Sequence, residues 1–213
     1  MKLILVRHGE SALNRVGIHQ FPDSPLSDVG KEQAISAAKS LKNIRIGRIM
    51  ASNYKRAMQT ANIISKYTGK KVIYSRLMAE WKRPSVIQGK MHESKIAIRI
   101  AAQMKAHSNN PFWHHSDEEN FYEFRERVLK IINMIENRRE KTLVVVTHSE
   151  VICMIIGIVL MGEDITPSEF NKLKKTLIIA NAGISVIEKN REGLWKVLAL
   201  NHSIGVDYFI KYD

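Results

Sequence analysis

Leu3-Ile4-Leu5-Val6-Arg7-His8-Gly9 is a continuous apolar run that stops abruptly at an arginine and a histidine. A run this short with no polar alternation predicts a strand buried on both faces, as in the interior of a parallel sheet. The same design returns at Leu143-Val144-Val145-Val146-Thr147, which is followed by His148. Working outward, Ser27 or Asp28 is placed to cap a helix reaching about Leu41, with Ala34, Ile35, Ala38 and Leu41 on one stripe. Residues 46–51 read as a second strand. Ser52 or Asn53 then caps a helix to about Tyr67, which Gly69 stops.

A short strand is expected at 72–74. Residues 77 to about 120 are the least regular part, with Pro84, Gly89 and Pro111, a helix over about 93–106, and the pair His114-His115. A long helix over about 121–139 carries Phe124, Val128, Ile131, Ile132 and Ile135 along one side. Another follows over 149–161. Residues 183–187 and 195–200 read as two closing strands joined through Asn190-Arg191-Glu192-Gly193. Strands alternating with helices predict an α/β three-layer sandwich, with a mostly parallel central sheet and helices on both faces. The expected organisation is one domain over 1–213, with 81–120 as an excursion or lid.

Composition narrows the classes of function. The chain has 213 residues, 45% of them apolar, which suits a full hydrophobic core without staples. Its single cysteine, Cys153, sits in an apolar run and reads as a small buried hydrophobe. The N-terminal apolar stretch is too short for a signal peptide, and residues 151–161 are about half the roughly 20 that a membrane span needs. A soluble, cytoplasmic protein without membrane contact is expected. The net charge of +12 favours anionic partners. Nucleic acid and phosphorylated metabolites both qualify on charge alone. The basic residues are scattered, with no aromatic stripe or basic tail to strengthen the nucleic-acid reading, and a small phosphorylated substrate is the expected partner.

In open parallel sheets, ligands gather at the carboxyl ends of the strands. His8 and His148 both follow strongly apolar strands, and Arg56 falls in the first turn of the helix after another. A neutral imidazole is a competent nucleophile toward a phosphoryl group. The transferring group spreads negative charge over its oxygens, and Arg7 and Arg56 offer forked donors matched to them. His148, if protonated, adds another charged donor. The leaving oxygen needs a proton from a nearby acid. This scheme calls for no metal and no cofactor.

Leu5-Val6-Arg7-His8-Gly9-Glu10-Ser11 with Asn14 resembles the signature of the histidine phosphatase superfamily, which includes the cofactor-dependent phosphoglycerate mutases. Pro25-Leu26-Ser27-Asp28-Val29-Gly30, Ala51-Ser52-Asn53-Tyr54-Lys55-Arg56-Ala57, Leu77-Met78-Ala79-Glu80 and Val146-Thr147-His148-Ser149 extend the resemblance along most of the chain. It implies a phosphoglycerate mutase-like fold and a phosphohistidine at His8, with Arg7, Arg56 and His148 clamping the phosphoryl group. Glu80 would protonate the leaving oxygen and later help activate water. Asn14 would be a supporting phosphate contact.

Ser149 stands where the family often has glycine. It is expected to cap the helix and contact substrate while narrowing the approach to His148. Glu150 would repel phosphate unless it points away, and Glu93, Glu118 and Glu119 compete with Glu80 for the role of acid. The tyrosine- and arginine-rich insertion typical of the mutases is not recognisable, which favours a phosphatase over a phosphoglycerate or phosphosugar mutase. A non-catalytic binder of phosphorylated ligands or nucleic acid has no need of the nucleophile. His114-His115, with His107 and Asp117 nearby, invites a metal reading that adjacent histidines in a polar loop support poorly. Trp81 and Trp113 either border the pocket mouth or simply pack.

Overall fold

The computed structural model describes residues 1–202; the last part of the expected domain, 203–213, lies outside the described residues. Six strands form one sheet: β1 (Lys2–Arg7), β2 (Arg48–Ser52), β3 (Val72–Ser75), β4 (Thr142–Thr147), β5 (Ile184–Lys189) and β6 (Trp195–His202). Their spatial order is β3-β2-β4-β1-β5-β6. β3, β2, β4 and β1 run parallel, whereas β5 is antiparallel to both β1 and β6. The β5–β6 hairpin turns through Asn190–Gly193, where Asn190 Oδ1 accepts the N–H groups of Glu192 and Leu194 and Gly193 takes φ +84°.

The helices are α1 (Ala12–Arg15), α2 (Asp28–Leu41), α3 (Lys55–Thr68), α4 (Lys95–Ala106), α5 (Phe121–Glu136), α6 (Ser149–Met161) and α7 (Pro167–Thr176). Strand alternation divides the core between the two faces. Leu3 and Leu5 of β1 join Phe124, Val128 and Ile131 of α5, with α6 and α7, on one face. Ile4 and Val6 join Ala38 and Leu41 of α2 and Ala61 and Ile64 of α3 on the other. Helices therefore cover both faces of a mostly parallel sheet, as the sequence predicts. α6 is buried over Val151–Ile158, which accounts for its all-round apolar character, and no described helix is long and apolar enough to cross a membrane.

Several boundaries differ from expectation. α3 is capped by neither Ser52 nor Asn53: Tyr54 is its N-cap, without a side-chain capping bond. Ser52 is still in β2, where its hydroxyl accepts the Tyr54 N–H and contacts His148. α5 ends at Glu136 rather than near Arg139, because the apolar stripe ends at Ile135. α7 was not foreseen. Its Thr166–Glu169 capping box and Pro167 in the first turn are a clear start signal, and the fully buried Phe170 anchors it.

Candidate active site

The register of β1 on β4 pairs Arg7 with Thr147, and the His8 N–H donates to the Thr147 carbonyl (2.9 Å). The residues just past these two strand ends are therefore neighbours. The His8 and His148 rings meet edge to face, with centroids 5.0 Å apart. From the next strand, β2, Ser52 Oγ lies 2.8 Å from His148 Nε2. Arg56, in the first turn of α3, donates through Nε to His8 Nε2 (3.1 Å). A turn after β3 carries Glu80 to the same sheet end. Arg127 of α5 pins that turn by donating to the carbonyls of Leu77 (2.6 Å), Ala79 (2.8 Å) and Glu80 (3.3 Å).

The His8 tautomer follows from its partners. Nδ1 lies 2.7 Å from the Gly9 carbonyl, which can only accept, so Nδ1 carries the hydrogen and Nε2 presents its lone pair. Two glycines make this turn possible. A Cβ on Gly9 would collide with the Gly30 carbonyl, and one on Gly30 with the Glu10 carbonyl, so the chain after β1 lies directly on the first turn of α2. The Gly9 N–H is satisfied by Thr60 Oγ1 (3.1 Å), which donates in turn to the Arg56 carbonyl (2.9 Å).

Burial sets the electrostatics. His8 and His148 are 3% and 0% exposed. Burial, then the Arg56 charge, holds both imidazoles well below the usual histidine range, so both are neutral at pH 7 in this state. His148 thus departs from the charged donor considered from sequence. Burial pushes Arg56 down to about 10, which still leaves it cationic at neutral pH. Burial, then the nearby Glu150 carboxylate, raises Glu80. Burial also pushes Cys153 up to about 11, as suits an inert thiol.

A cavity of about 350 Å³ is lined by Arg7, His8, Asn14, Arg56, Glu80 and Ser149, so six of the seven expected site residues meet there. His148 packs behind His8. Ser149 is the first residue of α6 and not its cap, which is His148; its Oγ, turned to the cavity, stands 3.4 Å from Glu80 Oε2. Glu150 lines this cavity too, but its carboxylate is engaged by two cations. Arg83 Nη2 meets both of its carboxylate oxygens at 2.5 and 2.6 Å, and Lys174 pairs with it too. Burial pushes Glu150 up, but these two cations outweigh it and hold it below its ordinary value.

The competing acids lie elsewhere. Glu119 forms a double ion pair with Arg127, Glu118 accepts the His115 and Ser116 N–H groups, and Glu93 does not line this cavity. Trp81 borders the cavity and stacks on Phe124 (4.6 Å), whereas Trp113 stacks on His107 (4.6 Å) beside a different cavity. Among the described residues no three His, Cys, Asp or Glu side chains converge as a metal set, His114 and His115 included. His19, His92, Arg83 and Arg127 are cavity or supporting residues that sequence reading missed. Only Arg127 left a signal, as a charge beside the apolar stripe of α5.

The sheet order and its flanking helices define a phosphoglycerate mutase-like histidine phosphatase fold. Residues 3–203 match the histidine phosphatase superfamily (branch 1), and the chain belongs to that family. It is 31% identical over 188 residues to a 2,3-bisphosphoglycerate-dependent phosphoglycerate mutase of Thermoplasma acidophilum, covering 87% of this chain and 86% of that one. It is 45% identical over 64 residues to the fructose-2,6-bisphosphatase TIGAR B of Danio rerio, but that match covers 29% of this chain and only 25% of the relative. The alpha-ribazole phosphatase structure from Shigella flexneri superposes with a TM-score of 0.80 at 21% identity, covering 96% of this chain and 98% of that one.

Proposed function

We propose that the protein hydrolyses phosphate monoesters through a phosphohistidine on His8. The observation that carries this reading is the His8 tautomer, which leaves the Nε2 lone pair beside Arg56 in a buried cationic cluster. In the first step Nε2 attacks phosphorus and the P–O bond to the alcohol breaks. Glu80, raised by burial and Glu150, gives its proton to the departing oxygen. In the second step the Glu80 carboxylate takes a proton from water as that water attacks phosphorus. The P–N bond breaks, the electron pair returns to Nε2, and orthophosphate leaves.

Arg7 and Arg56 stabilise the charge on the equatorial oxygens in both steps. His148 and Asn14 contribute neutral donors, and Ser149 contacts substrate and orients Glu80. Arg7 Nε and His148 Nδ1 are buried without a hydrogen-bond partner in the protein. Buried polar atoms of this kind are costly, and a phosphoryl oxygen accepts from both. Residues 81–120 form the lid of a single domain and select the alcohol.

A second reading, a mutase that returns the phosphoryl group to substrate, is favoured by the Thermoplasma relative. A panel of phosphorylated metabolites, scored for released phosphate and for isomerised product, separates the two. Release of phosphate, abolished in His8→Ala with the fold retained, is the expected result. Phosphate release undiminished in His8→Ala overturns the mechanism.

A further inference from the structure

The catalytic cavity shares a wall with a larger one of about 540 Å³. Trp81 and Arg83 line both. Arg83, Glu150 and Lys174 are the partition: Arg83 and Glu150 face the catalytic side, Arg83 and Lys174 the larger side. Two cations thus share one carboxylate, leaving one positive charge in the partition itself.

The rest of the larger cavity is cationic as well. Lys105 lies in the last turn of α4, and Lys172 and Lys175 lie in the last turns of α7; all three line the cavity. None forms an ion pair within the described residues. The carboxylates there offset only part of this charge: Glu119 is paired with Arg127, and Glu118, which accepts the neutral His115 and Ser116 N–H groups, keeps one negative charge against the three lysines. Asn171 donates to the Ser108 carbonyl (3.4 Å) and ties α7 to the loop after α4, so the two cationic helix ends border one cavity. Trp113, stacked on His107 at 4.6 Å, adds a half-buried indole to the lining.

We propose that this cavity binds a phosphate-bearing compound with a planar ring, its anionic groups on Lys105, Lys172, Lys174 and Lys175 and its ring against Trp113. The volume is that of a small-metabolite site. Its charge matches a polyanion, and ammonium groups grip phosphate as mobile point charges. The ligand is either the far end of a long substrate or a separate molecule. In both cases it competes with Glu150 for Lys174 and so acts on the partition that holds Glu150 beside Glu80. The proposal builds on the assignment of the smaller cavity as the catalytic one.

Calorimetric titration with metal-free ATP, chelator present, tests it on the 213-residue chain and two variants, Lys172→Ala/Lys175→Ala and Arg56→Ala. Both lysines are exposed, so the double variant is expected to retain its fold, checked by thermal unfolding. The double variant is expected to bind at least tenfold more weakly. Retained affinity in Arg56→Ala then identifies a separate ligand, and loss in both variants identifies a ligand spanning both cavities. Unchanged affinity in the double variant, or no binding by the unaltered protein at millimolar ATP, overturns the proposal. Hydrolysis of p-nitrophenyl phosphate and its dependence on His8 are measured in parallel, so failure of this site is distinguishable from failure of the phosphohistidine reading.

Discussion

Arg56 Nε donates to His8 Nε2 across 3.1 Å, so the nitrogen proposed to attack phosphorus is already held by the guanidinium proposed to grip the phosphoryl group. Protonating Nε2 would set two donors against each other in a buried site. Burial, then Arg56 and Arg7, accordingly holds His8 well below its ordinary value of 6.5. The proposed mechanism needs His8 neutral and Glu80 protonated in the free enzyme. The profile of kcat/KM against pH is therefore expected to be a bell whose acid limb lies well below pH 6.5 and whose basic limb lies above the usual carboxylate range. An acid limb at or above pH 6.5 contradicts this.

Glu150 supplies the second-largest push on Glu80, after burial. Removing its charge in Glu150→Gln stabilises the Glu80 carboxylate, so the acid form is lost at lower pH. The basic limb is expected to move toward lower pH while the acid limb stays. Profiles of kcat/KM for the two proteins check this, and an upward move of the basic limb refutes the coupling.

In the proposed mechanism Glu80 acts on the leaving oxygen, so its value depends on how basic that oxygen is. In Glu80→Gln, turnover of an alkyl phosphate is expected to fall by about 10²–10⁴-fold, the usual scale of general acid–base catalysis. The first step with p-nitrophenyl phosphate, whose phenolate departs without help, should fall far less. Presteady-state bursts with the two substrates separate these steps, and equal losses move the acid to another residue.

Thr60 lies under the His8 turn, accepting from the Gly9 N–H and donating to the Arg56 carbonyl. It is fully buried. Thr60→Val keeps the shape but strands the Gly9 N–H, which costs about 1–3 kcal/mol. Urea unfolding is expected to show a lower midpoint with an unchanged slope. An unchanged midpoint means that water or a shifted backbone replaces the hydroxyl.

Much of this architecture is legible in the sequence because strand ends are abrupt. Val6 to Arg7 and Val146 to Thr147 mark where the apolar sheet stops, and the residues beyond them meet because β1 and β4 pair in register. The carboxylates of 80–119 were less legible. Which of them faces His8 depends on Arg127 fixing the turn at Leu77–Glu80, a contact between residues distant in sequence. From sequence Glu150 reads as repelling phosphate unless it points away, because its partners, Arg83 and Lys174, come from two other segments. His19 and His92 stayed hidden for the same reason: the bridge between Ile18 and Met91 brings two loops together, and no local pattern encodes it. α7 is the exception, since Thr166-Pro167 with Glu169 announces it locally.

The most direct test of the central claim is to trap the phosphoenzyme. Glu80→Gln is mixed with p-nitrophenyl phosphate, quenched in alkali, where phosphohistidine survives and phosphoserine does not, and its peptides are read by mass spectrometry. One phosphoryl group on Nε2 of His8, absent from the His8→Ala protein, is the predicted result. A phosphoryl group on any other side chain, or hydrolysis that persists in the His8→Ala protein, contradicts it.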